Sequence, residues 1–264
     1  MRATFLIGAF NNAPTLPRAI DAVLAQTVRD LELIVIDDGS SDGSADVARA
    51  AAEGDERVRL LSMPGNVGIA RSLNEGLRAA RAPVVAVQDA DDWSAPERLE
   101  RQLAVLDGDA TVAVVGSRMR EVDAAGRELR PRTAFAAGDV GGVLMRFNPI
   151  PNTSAAFRRD AALAVGGYDA RYRYATEYDL WLRLAERHRV VALDEVLATR
   201  VMGGTNVAAR KERAQTAEAI EIRLRALRRR RSLRGAQWIA VPALSYVTPL
   251  PLKRALRRRL GMAP

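Results

Sequence analysis

Residues 31–40 read LELIVIDDGS and residues 84–92 read VVAVQDADD. Each is a nearly continuous apolar run that breaks off into adjacent carboxylates. A strand that is apolar on both faces belongs in a sheet covered on both sides, as parallel sheets of α/β proteins are. The flanking sequence supplies the covering helices. Leu16, Ile20, Val23 and Leu24 stand at i, i+4, i+7 and i+8, one face of a helix over residues 14–26. Ile69, Leu73 and Leu77 form a second stripe, and Leu99, Leu103 and Leu106 a third after Pro96. A helix is expected at 44–53, and strands at 4–8 (TFLIG), 58–61 and 112–116. Strand alternates with helix through residues 1–116, which predicts a doubly wound α/β sheet. Ligands of such sheets bind beyond the carboxyl ends of the strands. Both acidic clusters, 37–38 and 89–92, are therefore expected to line one crevice.

The second half is less regular. Gly126 marks a hairpin between 118–123 and 128–132, and residues 152–157 read as a strand. Gly166-Gly167 breaks the chain, and residues 177–187 (EYDLWLRLAER) form an amphipathic helix. Residues 190–193 and 196–201 read as two short strands, and 207–234 as a long basic helix. The expected organisation is one domain over 1–205, with a first half to 116 and a second from 117, followed by a helical, basic tail over 206–264.

Composition narrows the chemistry. The 264 residues are 48% hydrophobic and 27% charged, ordinary for a globular chain with a sizeable core. There is no Cys and only one His, His188. That excludes thiol catalysis, Cys-ligated metal and multi-histidine sites. The net charge of +8 is uneven: residues 222–264 hold 12 Lys or Arg and no Asp or Glu, leaving −4 on the rest. Few aromatics interleave the basic run, only Trp238 and Tyr246, so nucleic acid is not an expected partner. No apolar stretch reaches 18 residues and no secretory signal is apparent, so a cytoplasmic location is expected.

Carboxylates gathered at one sheet edge repel unless a cation or hydrogen-bond donors offset them. Here only oxygen ligands are on offer, which favours Mg²⁺ or Mn²⁺. Asp37-Asp38-Gly39-Ser40 would also pass as an ordinary turn. Three carboxylates in Asp89-Ala90-Asp91-Asp92 are a poor way to build a mere turn.

Further motifs stand in order with these. They are residues 5–11, Asn66-Val67-Gly68 through Asn74-Glu75-Gly76, residues 152–158, Gly166-Gly167-Tyr168 and Glu177-Tyr178-Asp179-Leu180-Trp181. The ordered set resembles the inverting glycosyltransferases of family 2, over about residues 3–202. The resemblance implies the GT-A fold, a Rossmann-like, mostly parallel central sheet with flanking helices. It implies a UDP- or dTDP-type sugar donor, Mg²⁺ or Mn²⁺, and a hydroxyl acceptor in bacterial-type cell-surface polysaccharide or glycolipid assembly. Where the family's first strand usually ends Pro-Thr-Tyr-Asn, this chain has Gly8-Ala9-Phe10-Asn11. Phe10 would keep a stacking surface for the base without the phenol. Asp37 and Asp38 match the pair that holds base and ribose. Asp89 would face the ribose and Asp91 the metal, with Asp92 suited to either task. Gly68 and Arg71 open a helix whose N-terminus is a natural seat for phosphate.

The family's base, an Asp, aligns with Glu177, one methylene longer and chemically competent. Asp179 is its rival. Many relatives place a His at Met202; here waters would complete the coordination or metal dependence would be weaker. His188, at a helix C-terminus, reads as structural. Two other readings stay open. A sugar-nucleotide nucleotidyltransferase would want a Gly-rich, basic loop that Phe10-Asn11-Asn12-Ala13 lacks. A binding protein would act through the Arg-rich end. The apolar segment 236–252, flanked by arginines at 228–231 and 254–259, has the arrangement of a segment lying on an anionic membrane surface through residues 228–264.

Overall fold

The structure is a computed structural model that describes residues 1–123, 125–129, 137–202, 207–231, 235–240 and 243. The chain divides into two units, Met1–Gly204 and Thr205–Pro264. In the first, β1 (Ala3–Ala9), α1 (Leu16–Leu24), β2 (Leu31–Asp37), α2 (Ser44–Gly54), β3 (Val58–Ser62), α3 (Ile69–Ala79) and β4 (Val84–Val87) follow in strict alternation. Their strands run parallel in the order β3-β2-β1-β4. Every residue of β2 and of β4 is buried, as their doubly apolar sequence requires.

Close approach of helix to sheet fixes α3 over β1 and β2. A Cβ on Gly8 would fall 2.7 Å from Ile69 Cδ1, and one on Gly76 would fall 2.5 Å from Ile36 Cδ1. A larger residue at either position would require those side chains to shift.

The sheet then continues differently. The two-residue β5 (Trp93–Ser94), α4 (Arg98–Gly108), β6 (Val112–Val122) and β7 (Gly138–Asp139) lead to a 3₁₀ turn at Asn152–Ser154. After it come β8 (Ala156–Arg158), α5 (Arg159–Ala164), α6 (Thr176–Leu184) and β9 (Arg189–Val201). β8 inserts antiparallel between β4 and β6; β9 runs parallel to β6 and antiparallel to β5 and β7.

Three details differ from the sequence expectation. The segment 152–157 is a 3₁₀ turn running into a strand, not a strand throughout. The segments 190–193 and 196–201 belong to one strand, because the exposed Asp194-Glu195 step is absorbed as irregularities in the β6–β9 register. β5, two residues long, offered no pattern to read. Of the hairpin at Gly126, the Val122–Glu128 bridge and the positive φ of Gly126 (78°) are present, and residues 130–132 lie outside the described residues.

In the second unit α7 spans Val207–Arg230. The segment 236–252 is described only at 236–240 and 243, and the basic run 253–259 lies outside the described residues. Among the described residues no helix is long and apolar enough to cross a membrane.

Candidate active site

The chain reverses direction across the sheet between β1 and β4, the topological switch point where α/β sheets open a crevice. Three loops leave the carboxyl edge there: 10–15 after β1, 38–43 after β2 and 88–92 after β4. The first two are stitched together. The amide of Asn11 donates to Ser40 Oγ (3.0 Å), that of Asn12 to Ser44 Oγ (2.8 Å), and that of Ser41 to Asn11 Oδ1 (2.9 Å). Asn11 takes a positive φ of 57° to do so. Gly39, with φ 77°, lets this loop touch a third: a Cβ there would meet the backbone of Gly65 and Asn66 within 2.9 Å. Phe10 is 45% exposed at this rim.

Asp37 and Asp38 are both buried, and the surrounding amides satisfy them. Asp37 Oδ1 accepts from the Ser40 amide (3.2 Å), and Asp38 accepts from Val67 (2.9 Å) and Gly68 (3.0 Å) through separate oxygens. Gly68, at φ 91°, is the N-cap of α3. Arg71 follows in the first turn with its side chain exposed.

The loop after β4 is built in another way. A buried polar network holds it from behind. The amide of Asp89 donates to Thr153 Oγ1 (3.0 Å), and Gln88 Nε2 donates to the carbonyl of Ala19 (2.7 Å). Ser94 Oγ donates to Gln88 Oε1 (2.5 Å). Arg98, fully buried at the start of α4, donates to Ser94 Oγ, Gln102 Oε1 and the carbonyls of Val87 and Ala155. Burial pulls the Arg98 guanidinium down to about 9, against the pull of Asp89 and Asp92. On the outer side, the Arg18 guanidinium lies 3.1 Å above the Trp93 ring.

The acidic side chains of this loop lack such partners. Asp92 is 1% exposed, and among the described residues neither of its oxygens accepts a well-formed hydrogen bond, Thr153 being a nearby donor. Desolvation first, then Asp89 and Asp91, pushes it up to about 8, with Arg200 and Thr153 opposing. Asp89, half-buried at the loop, is likewise raised, by desolvation first and by Asp91, with Arg200 and Arg98 opposing. Asp91 is exposed. The charge facing the acidic loop comes from β9: Arg200 Nε stands 3.5 Å from Asp92 Oδ2, and its Nη2 3.6 Å from Asp89 Oδ2.

Glu177, in the first turn of α6, reaches the same place. Its Oε1 accepts from Asn148 Nδ2 (3.0 Å), and its charge acts on Arg200 and on the buried Tyr168 hydroxyl. The Tyr168 phenol is raised well above its ordinary value by desolvation, then by Glu177 and Asp89. Tyr168 donates to Asn152 Oδ1 (3.0 Å), and Asn74 clamps its backbone on both sides (2.8 Å each). Asp179 is buried instead against Arg183 (2.7 Å), which also donates to the carbonyls of Val165 and Gly167. His188 ends the turn after α6, its amide donating to the Leu184 carbonyl (3.0 Å). The amide of Met202 donates to the Val122 carbonyl (2.7 Å).

The structure thus gathers Asp89, Asp91, Asp92, Arg200 and Glu177, and separately locks Asp37 and Asp38 beside Gly68. Among the described residues no three carboxylate or imidazole groups converge into a ready cation cage. The donor set still fits a divalent cation. Its ligands are oxygens, two carboxylates are raised by desolvation and by neighbouring carboxylate charge, and Mg²⁺ or Mn²⁺ commonly takes one or two carboxylates and fills the rest with water and phosphate.

Sequence reasoning missed Arg98, Gln102, Asn148 and the role of Arg200. Arg98 and Gln102 carried one local sign: at i, i+4 they share a helix face adjoining the Leu99, Leu103, Leu106 stripe. Asn148 sits in a loop without local pattern.

The Glycosyl transferase family 2 model matches residues 4–171. The amylovoran biosynthesis glycosyltransferase AmsE of Erwinia amylovora is 25% identical over 258 residues, covering 95% of this chain and 96% of its own. The mannosyltransferase PcManGT of Pyrobaculum calidifontis, solved with GDP-Man and Mn²⁺, superposes with a TM-score of 0.69 at 23% identity, over 98% of this chain and 79% of its own. S. aureus TarS 1-349 with UDP-GlcNAc superposes with a TM-score of 0.67 at 14% identity, over 86% of this chain and 72% of its own. The fold is that of the GT-A glycosyltransferases.

Proposed function

From the premise that the chain belongs to glycosyl transferase family 2, we propose that it transfers a sugar, with inversion, from a nucleoside diphosphate sugar to an acceptor hydroxyl. The observation that carries this reading is the meeting of Asp89, Asp91 and Asp92 with Glu177 around one guanidinium, at the switch point of the sheet.

The residues divide the work by their surroundings. Phe10 offers its exposed ring to the base. Asp37 is the acceptor for base or ribose donors; the imide N–H of uracil or thymine and the lactam N–H of guanine are equally suitable. Asp38, with both oxygens on amides, acts through Gly68 by holding the α3 N-terminus open toward phosphate, with Arg71 beside it. Asp89 faces the ribose. A divalent cation, Mg²⁺ or Mn²⁺, held by Asp91 with help from Asp92, would offset charge on the departing diphosphate. Glu177 takes the proton from the acceptor hydroxyl, whose oxygen attacks the anomeric carbon from the face opposite the diphosphate. Asn148 fixes the rotamer of Glu177. Asp179 is engaged by Arg183, which favours Glu177 as the base.

The acceptor side falls to the irregular half, residues 117–202. The relative named for amylovoran biosynthesis supports an acceptor in cell-surface polysaccharide assembly. A cytoplasmic enzyme whose basic tail, 228–264, rests on an anionic membrane surface would meet a lipid-linked acceptor there.

Release of nucleoside diphosphate from UDP-, dTDP- and GDP-sugars, with and without Mn²⁺, tests the reading. Glu177→Gln is expected to lower turnover about 10²- to 10⁴-fold with nucleotide binding unchanged. Turnover that survives Glu177→Gln and falls with Asp179→Asn would move the base to Asp179.

A further inference from the structure

The position where relatives were expected to carry an imidazole holds Met202, but the strand that carries it also carries a cation two residues earlier. Arg200 is one-third exposed (33%), and its two contacts with the acidic loop, 3.5 and 3.6 Å, are longer than hydrogen bonds. Arg98 and Arg183, the other guanidiniums of this region, are spent on directed bonds to carbonyls and side chains. Arg200 makes none. Ion pairs with Asp89 and Asp92 hold the guanidinium at the loop. It is tethered by a rigid strand, faces the carboxylates of the donor loop and keeps its N–H donors unspent.

We infer that Arg200 is the second cation of the donor site, screening Asp89 and Asp92 in the empty enzyme and turning its N–H groups onto the diphosphate when a nucleoside diphosphate enters. A planar guanidinium presents paired donors that match phosphate oxygens. It thereby supplies positive charge at the edge where Met202 supplies none. Two consequences follow, and they have opposite signs. Nucleoside diphosphate binding survives in part without a divalent cation because Arg200 remains. Divalent cation binding in the absence of nucleotide is weakened because Arg200 already occupies the field of the carboxylates. This inference rests on the donor-site reading above.

The test is a titration of UDP and GDP against the full chain by calorimetry, in Mn²⁺ and in EDTA, for wild type, Arg200→Lys and Arg200→Gln. Mn²⁺ binding without nucleotide is measured alongside by electron paramagnetic resonance. In EDTA, Arg200→Gln is expected to weaken nucleotide binding about 10- to 100-fold, the worth of one charge-assisted hydrogen bond. The same variant is expected to bind Mn²⁺ alone several-fold more tightly, with Arg200→Lys intermediate in both. A residue that merely supports the fold would lower both affinities and the melting temperature together. Unchanged nucleotide affinity in EDTA, or Mn²⁺ affinity that falls with it, overturns the inference while leaving the donor site standing. If wild type binds neither nucleotide under either condition, the donor-site reading itself fails and this inference with it.

Discussion

After β2, Asp38 gives its two carboxylate oxygens to the amides of Val67 and Gly68; after β4, Asp92 is equally buried, yet among the described residues neither oxygen accepts a well-formed hydrogen bond and a guanidinium stands 3.5 Å away. The two loops follow the same sequence pattern, a buried parallel strand running out into aspartates. What differs is what the rest of the chain brings to them. The first loop meets backbone amides from 65–68, which satisfy a carboxylate and fix its place. The second meets side-chain charge, a guanidinium from β9 and a carboxylate from α6, and its three carboxylates outnumber the one guanidinium that faces them. A buried carboxylate without donors is costly, so the second loop is the one that stores a demand for positive charge, and the first is the one that shapes the pocket.

The comparison can be broken most severely at Arg98. This cation holds the second loop from behind, and Arg98→Met would strip a donor from the carbonyls of Val87 and Ala155, leave the Ser94 and Gln102 oxygens without it, and leave Asp92 with one less compensating charge. A loss of about 3–5 kcal/mol is expected in denaturant unfolding. A loss under about 1 kcal/mol would mean that the loop does not depend on its buried support.

Asp91→Asn addresses the exposed member of the second loop. Turnover at saturating Mn²⁺ is expected to fall roughly 10²- to 10³-fold, with the melting temperature at or above that of wild type because a like charge has been removed beside Asp89 and Asp92. Near-normal turnover at saturating Mn²⁺ would show that the loop carries its charge for some other purpose.

The smallest effect sharpens the contrast directly. Asp38→Asn turns an N–H₂ toward donors that need an acceptor, so it should cost about 1–3 kcal/mol. Asp92→Asn replaces a buried carboxyl whose charged form desolvation already disfavours, so in EDTA it should cost nothing or stabilise. Thermal unfolding of the two variants at neutral pH decides: equal destabilisation would erase the distinction between the loops.

The parallel half of the fold was legible because its signals are local. Apolar runs in β2 and β4, helix stripes such as Ile69, Leu73 and Leu77, and carboxylates at strand ends are all properties of neighbouring residues. The second half was less so. An exposed Asp194-Glu195 step reads as a turn in sequence, and only pairing with β6 carries β9 through it as one strand. The 3₁₀ turn at Asn152–Ser154 is set by Arg98 and Gln102, whose side chains take the Ala155 and Ser154 carbonyls from a helix some fifty residues away.

For the site, the types of group were fixed by composition and position. With no Cys and one His, oxygen ligands and carboxylate bases were all that remained, and Asp37, Asp38, Asp89, Asp91, Asp92 and Glu177 could be named. Their states could not. Whether an aspartate is satisfied or stranded depends on which amides and cations the tertiary structure carries to it across 29 residues for Val67 and Asp38, or more than a hundred for Arg200 and Asp92. Sequence chooses the charge a residue can bear; only the packed fold determines how much water, and how much opposing charge, that residue keeps.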